Sequence, residues 1–189
     1  FDMAVVSPGV PLDNLIVKKI NDANVKLIGE IELGYIYEKG SVVAITGTNG
    51  KTTTTTLVGD IIKRWKSNTI VAGNIGFPYT NEVIKSENDS ISIIEISSFQ
   101  LETIDTFHAK VAAILNITPD HLDRHKTMEA YAEAKFNVTK NQTADDFVIL
   151  NFDDERLREF AKRCTSHVLW FGRVNKPDTG YYYKDRVIY

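Results

Sequence analysis

Val42-Val43-Ala44-Ile45 runs directly into Thr46-Gly47-Thr48-Asn49-Gly50-Lys51-Thr52-Thr53-Thr54, and a helical pattern follows over Lys51–Lys66. No other stretch constrains the fold as much. An apolar run, a glycine-rich turn and a helix start describe a buried strand that opens at its carboxyl end into an anion-binding loop. Glycines let the backbone turn with positive φ and approach a ligand closely. Amides of a first helical turn lack intrahelical acceptors, and the helix dipole strengthens their attraction for negative charge. Lys51 adds a full charge directed at terminal phosphates, and the Thr52 hydroxyl is placed to hold Mg2+. The usual spacing has Gly, four residues, then Gly-Lys-Thr; here Ile45 occupies the first glycine position and the turn glycine falls at Gly47, so the loop is a variant. Gly47, Thr48, Asn49, Gly50, Lys51, Thr52 and Thr53 are the expected contacts to a nucleoside triphosphate.

Composition narrows the classes. With 189 residues, 43% of them hydrophobic, the chain can bury one good core and part of a second. A formal net charge of −3 without a basic cluster argues against nucleic acid as the main partner. The single cysteine, Cys164, excludes an internal disulfide and points to a reducing, cytoplasmic setting. No apolar stretch approaches a membrane span, and Phe1-Asp2-Met3 carries no basic signal-peptide region. With its methionine third and a strand pattern beginning almost at once, the chain reads as a piece of a longer protein.

Apolar strand patterns alternate with helical ones, which predicts an α/β fold. Expected strands are Ala4–Ser7, Lys26–Ile28, Ser41–Thr46, Thr69–Ala72, Ile91–Ile96, Val111–Leu115, Phe147–Leu150 and Val168–Phe171, with a hairpin over Tyr181–Tyr183 and Arg186–Ile188. Expected helices are Leu12–Asn24, Glu30–Glu38, Lys51–Lys66, Thr127–Asn141 and Asp153–Arg163. Lys39-Gly40 is expected to close the second helix with a glycine just past its end, and a domain boundary is placed there. The prediction is thus a P-loop-containing fold with a mainly parallel central sheet flanked by helices and a C-terminal β-hairpin.

Further polar groups fall at strand ends, where an open α/β sheet collects ligands. Gly73-Asn74-Ile75-Gly76 is a two-glycine turn after one strand. Glu95 ends the run Ile91–Ile94; it is either a solvated edge carboxylate or a ligand to Mg2+ shared with Thr52. Asn116-Ile117-Thr118-Pro119-Asp120-His121-Leu122-Asp123-Arg124-His125 follows another strand. His121 could be a metal ligand oriented by Asp120 or Asp123, or the whole could be a solvated charge cluster. Tyr131 and Lys135 share a helix face; spacing alone reads Lys135 as exposed, with Ala134 and Phe136 arguing for a partly buried stem.

In order, Thr46–Thr52, Gly73–Gly76, Glu95-Ile96-Ser97-Ser98-Phe99-Gln100-Leu101-Glu102, Asp120–Asp123 and Ala134-Lys135 resemble the Mur ligases. Folylpolyglutamate synthetases share the loop but usually continue Gly-Lys-Gly-Ser, where this chain has Gly50-Lys51-Thr52-Thr53. The Gly-Asn-Ile-Gly and Ser-Ser-Phe-Gln-Leu-Glu strings resemble the members that join D-glutamate to UDP-N-acetylmuramoyl-L-alanine in peptidoglycan synthesis, through an acyl phosphate made with ATP. The resemblance implies that residues 1–38 are the end of a UDP-binding domain. Residues 39–189 would be most of an ATP-binding central domain, and an amino-acid-binding domain would be missing. Ser7-Pro8-Gly9 would contact the UDP-sugar, and Asn74, Ser97 and Gln100 would face substrate or phosphate. Lys51, His121 and Lys135 would be catalytic. Thr52 and Glu95 would hold one Mg2+, and His121 would hold a second with Lys135 carbamylated by CO2. The full-length enzyme would be monomeric. The alternatives are another Mur or folylpolyglutamate ligase, or a nucleotide-binding module that folds without turning over.

Overall fold

Buried parallel strands read as continuous apolar runs because both of their faces are covered, and those runs form one eight-stranded sheet. The computed structural model describes residues 1–189. The chain begins β1 (Met3–Val6), α1 (Leu15–Asp22), β2 (Lys26–Gly29), α2 (Glu30–Ile36), with β1 and β2 paired as a small parallel sheet. Then come β3 (Ser41–Thr46), α3 (Lys51–Trp65), β4 (Thr69–Gly73), α4 (Tyr79–Glu82), β5 (Ile91–Glu95), α5 (Ser98–Leu101), β6 (Val111–Ile114), α6 (Leu122–His125) and α7 (Met128–Phe136). The chain ends with β7 (Phe147–Asn151), α8 (Glu155–Ala161), β8 (His167–Gly172), β9 (Tyr181–Lys184) and β10 (Val187–Ile188). Strand order is β10-β9-β8-β7-β6-β3-β5-β4, parallel throughout except for the terminal β9–β10 hairpin. The expected α/β architecture is present.

β5 and β6, consecutive in sequence, lie on opposite sides of β3. That reversal opens a crevice at the carboxyl ends of the strands, directly above β3. Register sets Glu95 beside Ile45 of β3 and Gly73 of β4, so the loops after β3, β4 and β5 start level with one another. The larger core fills the face carrying Val42, Ala44, Ile94, Ala112 and Ile114, under α2, α5, α7 and α8. On the other face α3 covers Ile45, Ile93 and Ala113 through Val58 and Ile62. Its Gly59 sits so close to β4 that a Cβ there would lie 2.5 Å from Val71 Cγ2.

Several expected boundaries move, for local reasons. α1 starts at Leu15 rather than Leu12 because Asn14 caps it, accepting from the Ile16 amide at 2.8 Å. The helix expected over 127–141 ends at Phe136 and continues as a 3-10 turn, Asn137–Thr139. Beyond that turn Asn141 donates to the carbonyls of Asp105 and Phe107, both at 2.8 Å, which draws the backbone away from the helix axis. Gly40 does not terminate α2, which ends at the Tyr37 cap. A Cβ at position 40 would lie 2.2 Å from the Ser90 carbonyl oxygen, so glycine serves close strand approach there. The single turns α4 and α5 were not expected.

Two carboxylates fasten the segment 30–38 to the large sheet. Glu32, 1% exposed, accepts the amides of Asp105, Thr106 and Phe107 at 2.8–2.9 Å. Glu38 accepts the hydroxyls of Tyr79 at 2.7 Å, Ser92 at 2.6 Å and Ser86, and the Gly40 amide at 2.8 Å. Burial alone would raise both carboxyls, but these hydrogen bonds outweigh it and hold both below the ordinary value of 4.5. Groups depressed on folding contribute stability that is fully present above the unfolded value and lost as pH falls through the folded one. Glu38→Ala leaves the buried hydroxyls of Tyr79, Ser86 and Ser92 without their acceptor, a loss of about 3 kcal/mol. Urea denaturation at neutral pH should record that loss. As pH falls below 4.5 wild type should lose stability more steeply than Glu38→Gln, while above that value the two profiles run parallel; parallel profiles throughout would rule out this linkage.

Candidate functional site

At the end of β3 the chain turns through Gly47 at φ 142° and enters α3 through Gly50 at φ 83°, backbone that side chains rarely adopt. The amides of Gly50, Lys51, Thr52 and Thr53 donate to no acceptor in the protein. Four consecutive donors at the N-terminus of a fifteen-residue helix, with its dipole behind them, form an anion cradle. The loop is held open from β6. Thr48 N donates to the Asn116 carbonyl at 2.9 Å, and the Asn116 side chain bonds both the Asn49 amide (2.9 Å) and the Asn49 carbonyl (3.0 Å). Thr48 Oγ1 donates to the Thr118 carbonyl and meets the Tyr131 hydroxyl, each at 3.1 Å.

Two lysines meet beneath this cradle. Lys51 Nζ donates to the carbonyls of Gly47 at 3.0 Å and Thr48 at 2.9 Å, and Lys135 Nζ donates to the same Gly47 carbonyl at 2.9 Å. Lys135 is 2% exposed, so the reading of it as an exposed helical lysine is corrected. Tight packing of α7 against the sheet buries the whole side chain beneath the Tyr131 ring, with Nζ 4.7 Å from the ring centroid. Burial and the neighbouring Lys51 charge push its ammonium down to about 7.

On the α3 side, Glu95 is 2% exposed and is not a solvated edge residue. Its oxygens accept from Thr52 Oγ1 at 2.9 Å and Asn74 Nδ2 at 3.0 Å. Thr52 from the first turn of α3, Asn74 from the loop after β4 and Glu95 from the end of β5 therefore make one contact group beside the cradle. A buried carboxylate next to a hydroxyl is a hard oxygen donor set, the kind that suits Mg2+ completed by phosphate and water. No three His, Cys, Asp or Glu side chains converge into a ready-made metal cage.

The remaining predicted residues make contacts of their own. His121, half-exposed at φ 50°, packs on Phe99 with centroids 4.9 Å apart and faces the Tyr131 ring at 6.4 Å. Its partner in the sequence reading, Asp120, lies 3.6 Å away across Oδ2 and Nε2. Ser97 and Gln100 form a capping box: Gln100 Oε1 accepts the Ser97 amide at 2.9 Å while Ser97 Oγ accepts the Gln100 amide at 3.3 Å. Gln100 is buried by that role and Ser97 is half-buried. Ser7-Pro8-Gly9 leads out of β1 and is touched by α6 through Arg124.

Asn116, Thr118 and Tyr131 shape the loop and had no assigned role. Asn116 was detectable as the first polar residue after a buried strand, and Tyr131 as the residue one turn before Lys135 on its helix face. Chemically, the arrangement can grip a polyphosphate by four amides and Lys51, and offer oxygen ligands on one side and, on the other, an amine whose ammonium is held down to about 7.

A family model described as the Mur ligase middle domain matches residues 45–187. The UDP-N-acetylmuramoylalanine–D-glutamate ligase of Lachnoclostridium phytofermentans is 54% identical over 187 residues, 99% of this chain and 41% of that protein. The ligase of the same name from Lachnospira eligens is 53% identical, over 99% of this chain and 42% of its own length. The chain therefore spans about two fifths of the length of these curated relatives. The fold is that of the MurF ligase of Thermotoga maritima, solved in complex with ADP: TM-score 0.60, 20% identity, 97% of this chain and 51% of that one. A strand, variant phosphate loop and helix at the sheet's switch point, with a match running over most of the chain, establish that it belongs to the Mur ligase family.

Proposed function

We propose that this chain is the ATP-binding part of an ATP-dependent ligase that joins D-glutamate to UDP-N-acetylmuramoyl-L-alanine in peptidoglycan synthesis. The observation that carries the reading is the cradle of four acceptor-free amides, Gly50–Thr53, beside Lys51 and the Thr52–Glu95 pair. The names of the relatives above support the choice of substrates. Residues 1–38 are read as the end of the UDP-binding domain and 39–189 as the ATP-binding domain. The full-length enzyme is read as a cytoplasmic monomer; no helix here is long and apolar enough to cross a membrane.

The alanyl carboxylate attacks the γ-phosphorus of ATP, giving an acyl phosphate and ADP. The amine of D-glutamate then attacks the activated carbonyl, expels inorganic phosphate and loses a proton, leaving the amide. Lys51 and the amides of residues 50–53 stabilise charge on the transferring group, the main form of catalysis open to phosphoryl transfer. Thr52 and Glu95 would hold Mg2+, which neutralises phosphate charge. Asn74 orients Glu95 through its 3.0 Å bond, while Ser97 and Gln100 shape the floor on which the reacting carboxylate rests. Ser7-Pro8-Gly9 contacts the UDP-sugar.

Lys135 is a buried ammonium whose only hydrogen-bond partner is a carbonyl, a costly arrangement for a permanent cation. As a carbamate it becomes an oxygen ligand that, with His121, would hold a second Mg2+. The free amine is the nucleophile that attacks the carbon of CO2, releasing a proton as the carbamate forms, and a lysine near 7 supplies it at neutral pH.

Three outcomes test this reading. The full-length protein should release phosphate only with ATP, UDP-N-acetylmuramoyl-L-alanine and D-glutamate together; a preference for another amino acid or a folate acceptor would move it to a sister ligase. Lys51→Ala should weaken binding of a fluorescent ATP analogue by about a hundredfold, whereas Thr52→Ala should remove mainly the Mg2+-dependent gain. Equal affinity in wild type and Lys51→Ala would sink the phosphate-loop assignment. In 13C-bicarbonate, a carbamate carbon signal should grow as pH rises through about 7 and be missing from Lys135→Arg. A wild-type spectrum without that signal would leave Lys135 a plain cation.

A further inference from the structure

A single helical turn flanked by two left-handed non-glycine residues, His121 at φ 50° and Lys126 at φ 70°, keeps its shape only where its surroundings impose it. α5 imposes it on one side. His125 Nε2 lies 2.9 Å from Ser98 Oγ, and the imidazole stacks on Phe99 with centroids 5.2 Å apart. Arg124 donates to Glu102 Oε2 at 2.8 Å and lays its guanidinium over the same Phe99 ring, 4.1 Å from the centroid.

The guanidinium has a second set of partners. Nη1 donates to the Pro8 carbonyl at 2.6 Å, and Nη2 reaches the Val10 carbonyl at 3.5 Å. These are the only side-chain hydrogen bonds that residues 7–10 receive from the rest of the chain. A planar fork can hold a carboxylate and a carbonyl while stacking on an aromatic face; a lysine ammonium offers no such plane. The Phe99 ring under Arg124 is also the ring against His121. His125, next in sequence, sits 5.2 Å from Tyr131, whose hydroxyl meets Thr48 of the phosphate loop at 3.1 Å. One packed series of side chains therefore connects the 7–10 loop to the cradle.

We propose that Arg124 is a positioning residue that docks the 7–10 loop onto the α6 turn, so that a UDP-sugar held by Ser7-Pro8-Gly9 sets the pose of His121. The inference rests on the reading of that loop as the UDP-sugar contact. Arg124 touches neither nucleotide nor reacting atoms in this scheme. It makes occupancy of the sugar-nucleotide loop felt at the histidine three residues away.

The test uses full-length wild type, Arg124→Lys and Arg124→Met, with Arg124→Lys retaining a cation beside Glu102 to preserve folding. Calorimetry gives affinities for UDP-N-acetylmuramoyl-L-alanine and for a non-hydrolysable ATP analogue. The His121 imidazole NMR signal, assigned with His121→Asn, reports on α6 as the UDP-sugar alone is added. Both variants should bind the UDP-sugar about tenfold more weakly, keep ATP-analogue affinity within about twofold, and lose the His121 response even at saturation. Wild-type affinity and a full His121 response in both variants would overturn the proposal alone. Equal weakening toward both ligands would also overturn it, by reducing Arg124 to a general structural role. Wild type that binds the ATP analogue and no UDP-sugar would remove the substrate reading and the proposal together.

Discussion

Positive charge gathered at one point governs this structure. Four unpaired amides, a helix dipole and two lysine side chains meet at the carboxyl end of β3, and the one carboxylate bonded to the loop's own residues is Glu95. Such an arrangement is costly where it is buried, since Lys135 has a single carbonyl as its acceptor. The two lysines meet that cost partly by sharing the Gly47 carbonyl. An anionic ligand at the cradle would reduce it further. Two glycines whose positive φ shapes the loop, and a lysine held near 7, prepare the site for negative charge.

The sheet order makes this gathering possible. With β5 and β6 on opposite sides of β3, loops far apart in sequence come level above one strand: Asn74 and Glu95 from one flank, Asn116 and Thr118 from the other. The same order leaves α2 to be fastened from outside, and it is fastened by charge rather than by apolar area alone. Glu32 and Glu38 collect amides and hydroxyls from the segments after α5 and around β5, so the N-terminal segment is positioned by groups that the sheet itself presents.

Elements with a strong local signal were legible in the sequence. β3 and β6 are built on unbroken apolar runs and β5 on one interrupted only by Ser92, the glycine-lysine-threonine turn follows β3, and polar residues come within two positions of the ends of the other two. The capping box of Ser97 and Gln100 is equally legible as a serine followed three residues later by glutamine. What escaped depends on partners distant in sequence. Ala134 and Phe136 hint at a partly buried Lys135 stem, but its full burial depends on the Gly47 carbonyl, 88 residues away in sequence, which takes its ammonium. Gly40 looked like a helix stop since the Ser90 carbonyl that excludes a side chain lies fifty residues on. α4 and α5 are single turns, too short for periodicity to register.

Gly59 carries a consequence for how damage would spread. It lies two turns into α3, about 12 Å along the axis from Lys51, where the helix rests directly on Val71. Any side chain there becomes a wedge under a rigid rod whose tip is the amide cradle. Raising the middle of the rod swings its tip away from Glu95 and Asn116, which are anchored in other strands. A residue that meets no ligand would then imitate a defect of the loop itself, with affinity failing before the fold does.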